Sequence, residues 1–201
     1  MTAASKSERL FRVLCLFPHP RFTGHAVLDE TGLVRSATFT MRTRRFPTLA
    51  ERIASIELQL RESVATYRPD VVAIIATEGC AWVETTTAQV LTTATAIGFP
   101  LRVVAEPELE ELFRVPDGAE YDQLGQCVTG AFFPELVHDT GSWRRGNADV
   151  RRRVRPMWKA AAGAITALAE RRPSAVLKLA RGPVPPGLAS LIERASRTPT
   201  V

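Results

Sequence analysis

Arg12-Val-Leu-Cys-Leu-Phe-Pro-His-Pro-Arg-Phe-Thr-Gly-His-Ala-Val-Leu28 is the stretch on which the fold turns. Phe11 to Leu16 is a short apolar run rich in strand-forming residues, and Pro18 and Pro20 stop it. After Thr23-Gly24 a second run, His25 to Leu28, begins. Asp29-Glu-Thr-Gly32 has the polar composition of a hairpin turn, and Leu33-Val34 with Ala37 to Met41 supplies a third strand. The stretch therefore predicts an antiparallel meander at the start of the chain.

Downstream the period changes. Leu49, Ile53, Ile56, Leu60 and Val64 recur at helical spacing, which predicts an amphipathic helix to about Tyr67, ended by Pro69-Asp70. Val71 to Ala76 is continuously apolar, the pattern of a strand buried on both faces. A second helix is expected from Trp82 to Ile97, stopped by Gly98-Phe-Pro100, and Leu101 to Ala105 reads as a fifth strand. The order β-β-β-α-β-α-β is a meander followed by crossover units. It predicts an α/β fold with a five-stranded mixed sheet flanked by helices.

Beyond the sheet, helices are expected over Pro107 to Phe113 and Glu120 to Phe133, the latter with Leu124, Cys127, Val128 and Ala131 on one face. Arg144 to Arg155 is a basic stretch, Trp158 to Ala169 an Ala-rich helix, and the tail from Arg172 is Pro-rich with a short helix at Leu188 to Ala195. These divisions suggest one domain over residues 1–171 and a C-terminal extension over 172–201.

With 201 residues, 45% of them hydrophobic and 23% charged, the chain suits one globular domain. The run Val13 to Phe17 is too short to span a bilayer and lacks the features of a signal peptide, so a cytoplasmic protein with no membrane partner is expected. Cys15, Cys80 and Cys127 have no metal-site or disulfide spacing, and no cofactor is expected. The net charge of +5 invites a nucleic-acid partner. Lys occurs only at positions 6, 159 and 178, so the positive charge is mostly Arg, which base composition alone could produce.

Four segments carry a family resemblance. Phe17-Pro-His-Pro-Arg-Phe-Thr-Gly24 is similar to an Asp-Pro-Gly turn followed by Thr-Gly. Tyr67-Arg-Pro-Asp-Val-Val-Ala-Ile-Ile75 resembles a helix end and the strand that delivers a catalytic Glu. Gly118-Ala-Glu-Tyr-Asp-Gln-Leu-Gly-Gln-Cys-Val128 looks like the helix before the last catalytic element, and Trp158-Lys-Ala-Ala-Ala-Gly-Ala-Ile-Thr-Ala-Leu168 is similar to a small-residue helix bearing paired Asp residues. In this order and spacing they resemble the RuvC-type Holliday-junction resolvases of the ribonuclease-H-like superfamily, over roughly residues 12–170.

The resemblance implies a ribonuclease-H-like fold and places the family's catalytic carboxylates at Phe17, at Ile75, and near Trp158 and Ala161. None of these four side chains supplies an oxygen ligand, whereas two-metal phosphodiester hydrolysis depends on carboxylates that hold Mg²⁺ at the scissile phosphate. A degenerate member, with no metal and no catalytic residue, is expected. Apolar replacements also avoid the cost of desolvating like charges that no metal neutralises. The reading predicts that Phe17 and Ile75 lie side by side at the carboxyl ends of neighbouring strands, with Trp158 or Ala161 packed over them.

Glu78, Glu84, Asp29, His19 and His25 are the groups from which a displaced active site would have to be rebuilt, and each is expected to be a solvated loop or turn residue. His138 and Asp139 read as a polar turn. Arg144, Arg145, Arg151, Arg152, Arg153 and Arg155, with Trp143 and supplemented by Arg42, Arg44 and Arg45, form the candidate nucleic-acid-binding surface. Against it stand Glu106, Glu108, Glu110 and Glu111, whose bland role is to complement a helix dipole. Thr85 to Thr95 reads as a core-packing helix, with a homodimer face as its second role. Function narrows to an inactive pseudonuclease that binds duplex or branched DNA, or to a structural or regulatory module that binds a protein partner. An active, metal-dependent resolvase with a displaced carboxylate such as Glu78 is a third reading.

Overall fold

The computed structural model describes residues 9–41, 45, 48–79, 81–114, 123–137 and 148–197. Strands β1 (Arg12–Phe17), β2 (Phe22–Asp29) and β3 (Gly32–Thr40) form the meander; helix α1 (Leu49–Tyr67), strand β4 (Val71–Ala76), helix α2 (Ala81–Ile97) and strand β5 (Leu101–Ala105) follow. The sheet order is β3-β2-β1-β4-β5. The first three strands pair antiparallel, whereas β4 lies parallel to both β1 and β5. This is the five-stranded mixed sheet that the sequence pattern predicts.

Side chains alternate across the sheet because the strand period is two. Val13, Cys15 and Phe17 of β1 enter one core with Val71, Ala73 and Ile75 of β4. Leu14 and Leu16 enter the other with Val72 and Ile74. The second core is roofed by α1 and α2. Thr48 and Glu51 close a capping box at the start of α1, and Ile53, Ile56, Leu60 and Val64 are its buried stripe. On α2 the hydroxyls of Thr86, Thr92 and Thr95 donate to carbonyls one turn back, while Thr93 Oγ1 donates to Glu57 of α1 at 2.6 Å.

The first core is covered by the remaining helices: α3 (Glu106–Leu112), α4 (Gln123–Cys127) continuing into a π-helical turn (Val128–Phe132), α5 (Ala148–Arg171), α6 (Pro173–Leu179) and α7 (Pro186–Arg197). Two sequence expectations change here. From Ala148 on, the basic stretch and the Ala-rich segment are one helix, α5, despite the internal Pro156. The Pro-rich tail carries two helices whose Val176, Leu188 and Ile192 are buried in the same core as the sheet. Proline at the first helical position is tolerated because that N–H has no partner within the helix, so Pro173 and Pro186 start helices that composition alone reads as irregular chain.

Helix α5 lies across β2, β1 and β4, and small residues let it approach closely. A Cβ added at Gly24 of β2 would sit 1.8 Å from the Pro156 carbonyl oxygen. One added at Gly163 of α5 would meet Cys15 Sγ at 2.7 Å and Ile75 Cδ1 at 3.1 Å. These contacts fix which face of α5 meets the sheet. Cys15 and Cys127 are buried free thiols, and burial raises both pKa values, that of Cys127 to about 12. Cys80 lies outside the described residues. Among the described residues no helix is long and apolar enough to cross a membrane.

Candidate nucleic-acid interface

Strands β1, β4 and β5 are parallel, so all three end on one edge of the sheet. There the chain leaves β1 at Phe17, β4 at Ala76 and β5 at Ala105, and the Arg155–Lys159 part of α5 lies beside this edge. A cleft of about 510 Å³ opens at this edge, lined by Phe17, His19, Arg21 and Phe22 from the first turn, Thr77 after β4, Glu106 after β5, and Arg155, Pro156 and Lys159 of α5. Clefts outside the carboxyl ends of strands are the usual binding place of open α/β sheets.

The turn after β1 is internally held. His19 Nδ1 accepts from the Arg21 N–H at 3.1 Å, and Thr23 Oγ1 donates to the His19 carbonyl at 3.3 Å. The His19 ring stacks between Phe17 and Phe22, with ring centres 6.2 Å and 6.5 Å away. Burial lowers its pKa, and the nearby charges of Arg21 and Lys159 lower it further, so His19 is neutral at pH 7. Arg21 is thereby aimed outward at the rim, exposed to solvent.

On the other wall, Lys159 is only 6% exposed. Its Nζ lies 4.9 Å from the centre of the Phe17 ring and forms an ion pair with Glu106 Oε1. Burial lowers the ammonium pKa to about 8, whereas the cation–π contact and the Glu106 carboxylate both favour the charged form. The acidic start of α3 therefore does more than complement a dipole. Glu106 neutralises Lys159, and Glu108 joins Glu170 in holding the Arg102 guanidinium, at 2.6 Å and 2.8 Å.

Leu16 is paired with Ile74, so Phe17 and Ile75 fall on the next rung and enter the same core. The helix above them is rotated relative to the sequence expectation. Lys159, not Trp158, lies over Phe17, and Gly163, not Ala161, meets Ile75. Trp158 turns instead to α4, where a Cβ added at Gly125 would come within 2.1 Å of the indole. Ala161, two residues beyond Lys159, points roughly 200° away around the helix and is buried on the side remote from the sheet.

Of the Arg surface expected from sequence, Arg155 is placed at the cleft, exposed, and Arg45 is exposed in the segment before α1. Arg42, Arg44, Arg144 and Arg145 lie outside the described residues, as do Trp143, His138 and Asp139. The backbone of Arg151, Arg152 and Arg153 is the first part of α5, and their side chains lie outside what is described. The remaining groups from which a site could be rebuilt are dispersed. Glu78 is exposed, and Glu84 accepts from the Gly79 N–H at 3.3 Å.

Asp29 and His25 are not solvated as the sequence suggests. Asp29 is buried, accepting from the Thr31 N–H and Oγ1 and pairing with Arg12 at 3.6 Å. His25 is 2% exposed beneath α1, with Nε2 at 3.0 Å from Ser63 Oγ, and burial together with Arg35 lowers its pKa to about 4.

At the level of sequence, no family model and no curated protein matches this chain. Solved structures do. RuvC of Thermus thermophilus in complex with a Holliday junction substrate superposes with a TM-score of 0.56 at 17% identity, covering 85% of this chain and 98% of that one. A second Thermus thermophilus RuvC structure superposes with a TM-score of 0.55 at 16% identity and the same coverage. The fold is RuvC-like.

A RuvC-like fold implies a divalent-metal centre at the carboxyl ends of the strands, and the described residues that line the cleft do not fit one. Divalent hard cations need several converging oxygen ligands. Phe17 and Ile75 offer hydrocarbon, Lys159 offers a positive charge, and Glu106, the carboxylate lining the cleft among the described residues, is engaged by Lys159. Lys159 and Arg21 escaped the sequence reading. One signal was available: Lys159 is the sole charge between Arg155 and Glu170, in an otherwise apolar and small-residue helix face.

Proposed function

We propose that this chain is a RuvC-like pseudonuclease that binds nucleic acid, duplex or branched, in the cleft at the carboxyl ends of its strands and does not cleave it. The observation that carries this reading is the exchange of ligand chemistry at one place. Where hydrolysis requires carboxylates and a divalent ion, the chain sets a phenyl ring and a lysine, and it rims the same cleft with Arg21 and Arg155. Phosphate backbones are recognised by such cations, and their affinity comes from counterion release.

Fluorescence anisotropy with a four-way junction, a linear duplex and a single strand, measured from low to physiological salt, tests the binding half. Affinity falling steeply with salt is expected, and the slope should flatten by about one for each phosphate-contacting Arg that is removed. Incubation of the same junction with Mg²⁺ or Mn²⁺ tests the other half, and intact strands are expected. Cleavage that co-purifies with the protein ends the pseudonuclease reading. Absence of binding at low salt transfers the function to a protein-interaction module on the same scaffold.

A further inference from the structure

We infer that Lys159 stands in for the divalent ion of this cleft, so that the site seats a phosphate group directly on protein cations and needs no metal to do so. The inference rests on the nucleic-acid reading for the source of the phosphate, but the seat itself is argued from side chains.

An ammonium has three donors and a positive charge, and here it is held from two sides. The Glu106 carboxylate takes one donor, and the face of the Phe17 ring supports the charge at 4.9 Å. That leaves donor capacity on the side of Lys159 that lines the cleft. Thr77 at the end of β4 lines the same space, and its Oγ1, shielded from solvent, has no hydrogen-bond partner among the described residues. Arg21 and Arg155 stand at the rim, from opposite walls, with the planar donor forks that suit phosphate oxygens.

The charge sum favours an anion. Lys159 and Glu106 cancel and His19 is neutral, so the exposed Arg21 guanidinium leaves the cleft positive. Glu106 repels an approaching phosphate less than a free carboxylate would, because Lys159 lies against it. A divalent cation meets the opposite situation: a paired carboxylate and an excess of positive charge. Metal recruitment is therefore disfavoured by the same side chains that favour phosphate.

The test uses the full chain with inorganic phosphate and with the four-way junction, each in EDTA and in Mg²⁺. Phosphate binding is followed by amide chemical shifts around Phe17 and Thr77, and junction binding by anisotropy. Expected are phosphate-induced shifts in EDTA, junction affinity in EDTA no lower than in Mg²⁺, and a roughly tenfold loss of both affinities in Arg21→Ala, the size of one charge-assisted contact. The double substitution Lys159→Met with Glu106→Gln, which leaves no unpaired buried charge, should show a comparable or larger loss with its circular dichroism retained. If that double variant unfolds, the exposed Arg21→Ala variant carries the test alone. Phosphate binding without junction binding supports the seat and removes the nucleic-acid reading. Junction binding that neither variant alters overturns the seat and leaves that reading in place. No phosphate-induced shift in the wild-type chain, or binding that appears only when Mg²⁺ is added, overturns the seat outright.

Discussion

The two faces of this sheet are built from alternate residues of the same strands, yet they are finished differently. Under α1 and α2 polar side chains are packed inside the core: His25 Nε2 meets Ser63 and its ring rests on Phe39 and Tyr67, Thr93 is bonded to Glu57, and His25 Nδ1 and Thr87 Oγ1 are buried with no hydrogen-bond partner among the described residues. Under α5 the core runs unbroken from Val13 to Phe17 and then meets a buried ammonium at the sheet edge. One face closes on itself, and the other ends in chemistry. Desolvating a charge costs free energy that a structural core avoids, so a lysine and a carboxylate buried together at the mouth of a cleft make that mouth the candidate functional site.

The sharpest way to break the contrast is to lift α5. Gly24→Val forces a branched side chain against the Pro156 carbonyl, where even a Cβ lies at 1.8 Å, and should cost about 4 kcal/mol or more in urea unfolding. Gly130→Ala, where an added Cβ has nothing within 4 Å, is the matched control and should change little beyond helix propensity.

Separating the buried pair comes next. Glu106→Gln strands the Lys159 charge and should cost about 3 kcal/mol at pH 7, with the loss shrinking as pH rises past the ammonium pKa near 8. Removing both partners, as Lys159→Met with Glu106→Leu, should recover most of that loss. If the single and double variants are equally unstable, the pair is not the unit described here.

His25 provides the corresponding experiment on the closed face. Its folded pKa, about 4, lies below the ordinary histidine value of 6.5. Between those two values the unfolded chain binds the proton and the folded chain does not, so stability falls as pH drops from about 6.5 towards 4. The loss should approach about 3 kcal/mol in urea titrations, and His25→Gln should abolish that part of the acid dependence.

The smallest effect is expected at Arg102, whose bonds to Glu108 and Glu170 are part-exposed rather than buried. Glu170→Gln should cost less than about 1 kcal/mol, and less still in high salt. A loss as large as that of Glu106→Gln would erase the distinction between the two ion-pair sites.

Much of this architecture is legible in local pattern. The limits of α1, α2 and β4 follow from apolar period and from stop signals such as Pro69 and Gly98, because helix and strand periods differ and the core selects one face of each. The length of α5 was less accessible, since Pro156 and the change from Arg-rich to Ala-rich composition suggest a boundary that packing overrides. The register of α5 on the sheet was not accessible at all. Matching the segment to a family pattern puts Trp158 and Ala161 at the site, whereas the close approach at Gly24 and Gly163 turns Pro156 and Lys159 to it.

By itself the sequence determined the order of strands and helices, the buried stripes, and the absence of carboxylates at Phe17 and Ile75, because each of these depends on residue type and spacing along one segment. Only the tertiary structure decided that Lys159 meets Phe17 and Glu106, that Arg21 and Arg155 share a rim, and that His25 is sealed beneath α1. Those facts depend on how far one helix rotates and slides on a sheet, which is set by steric contact between residues tens to more than a hundred positions apart and leaves no period in the chain.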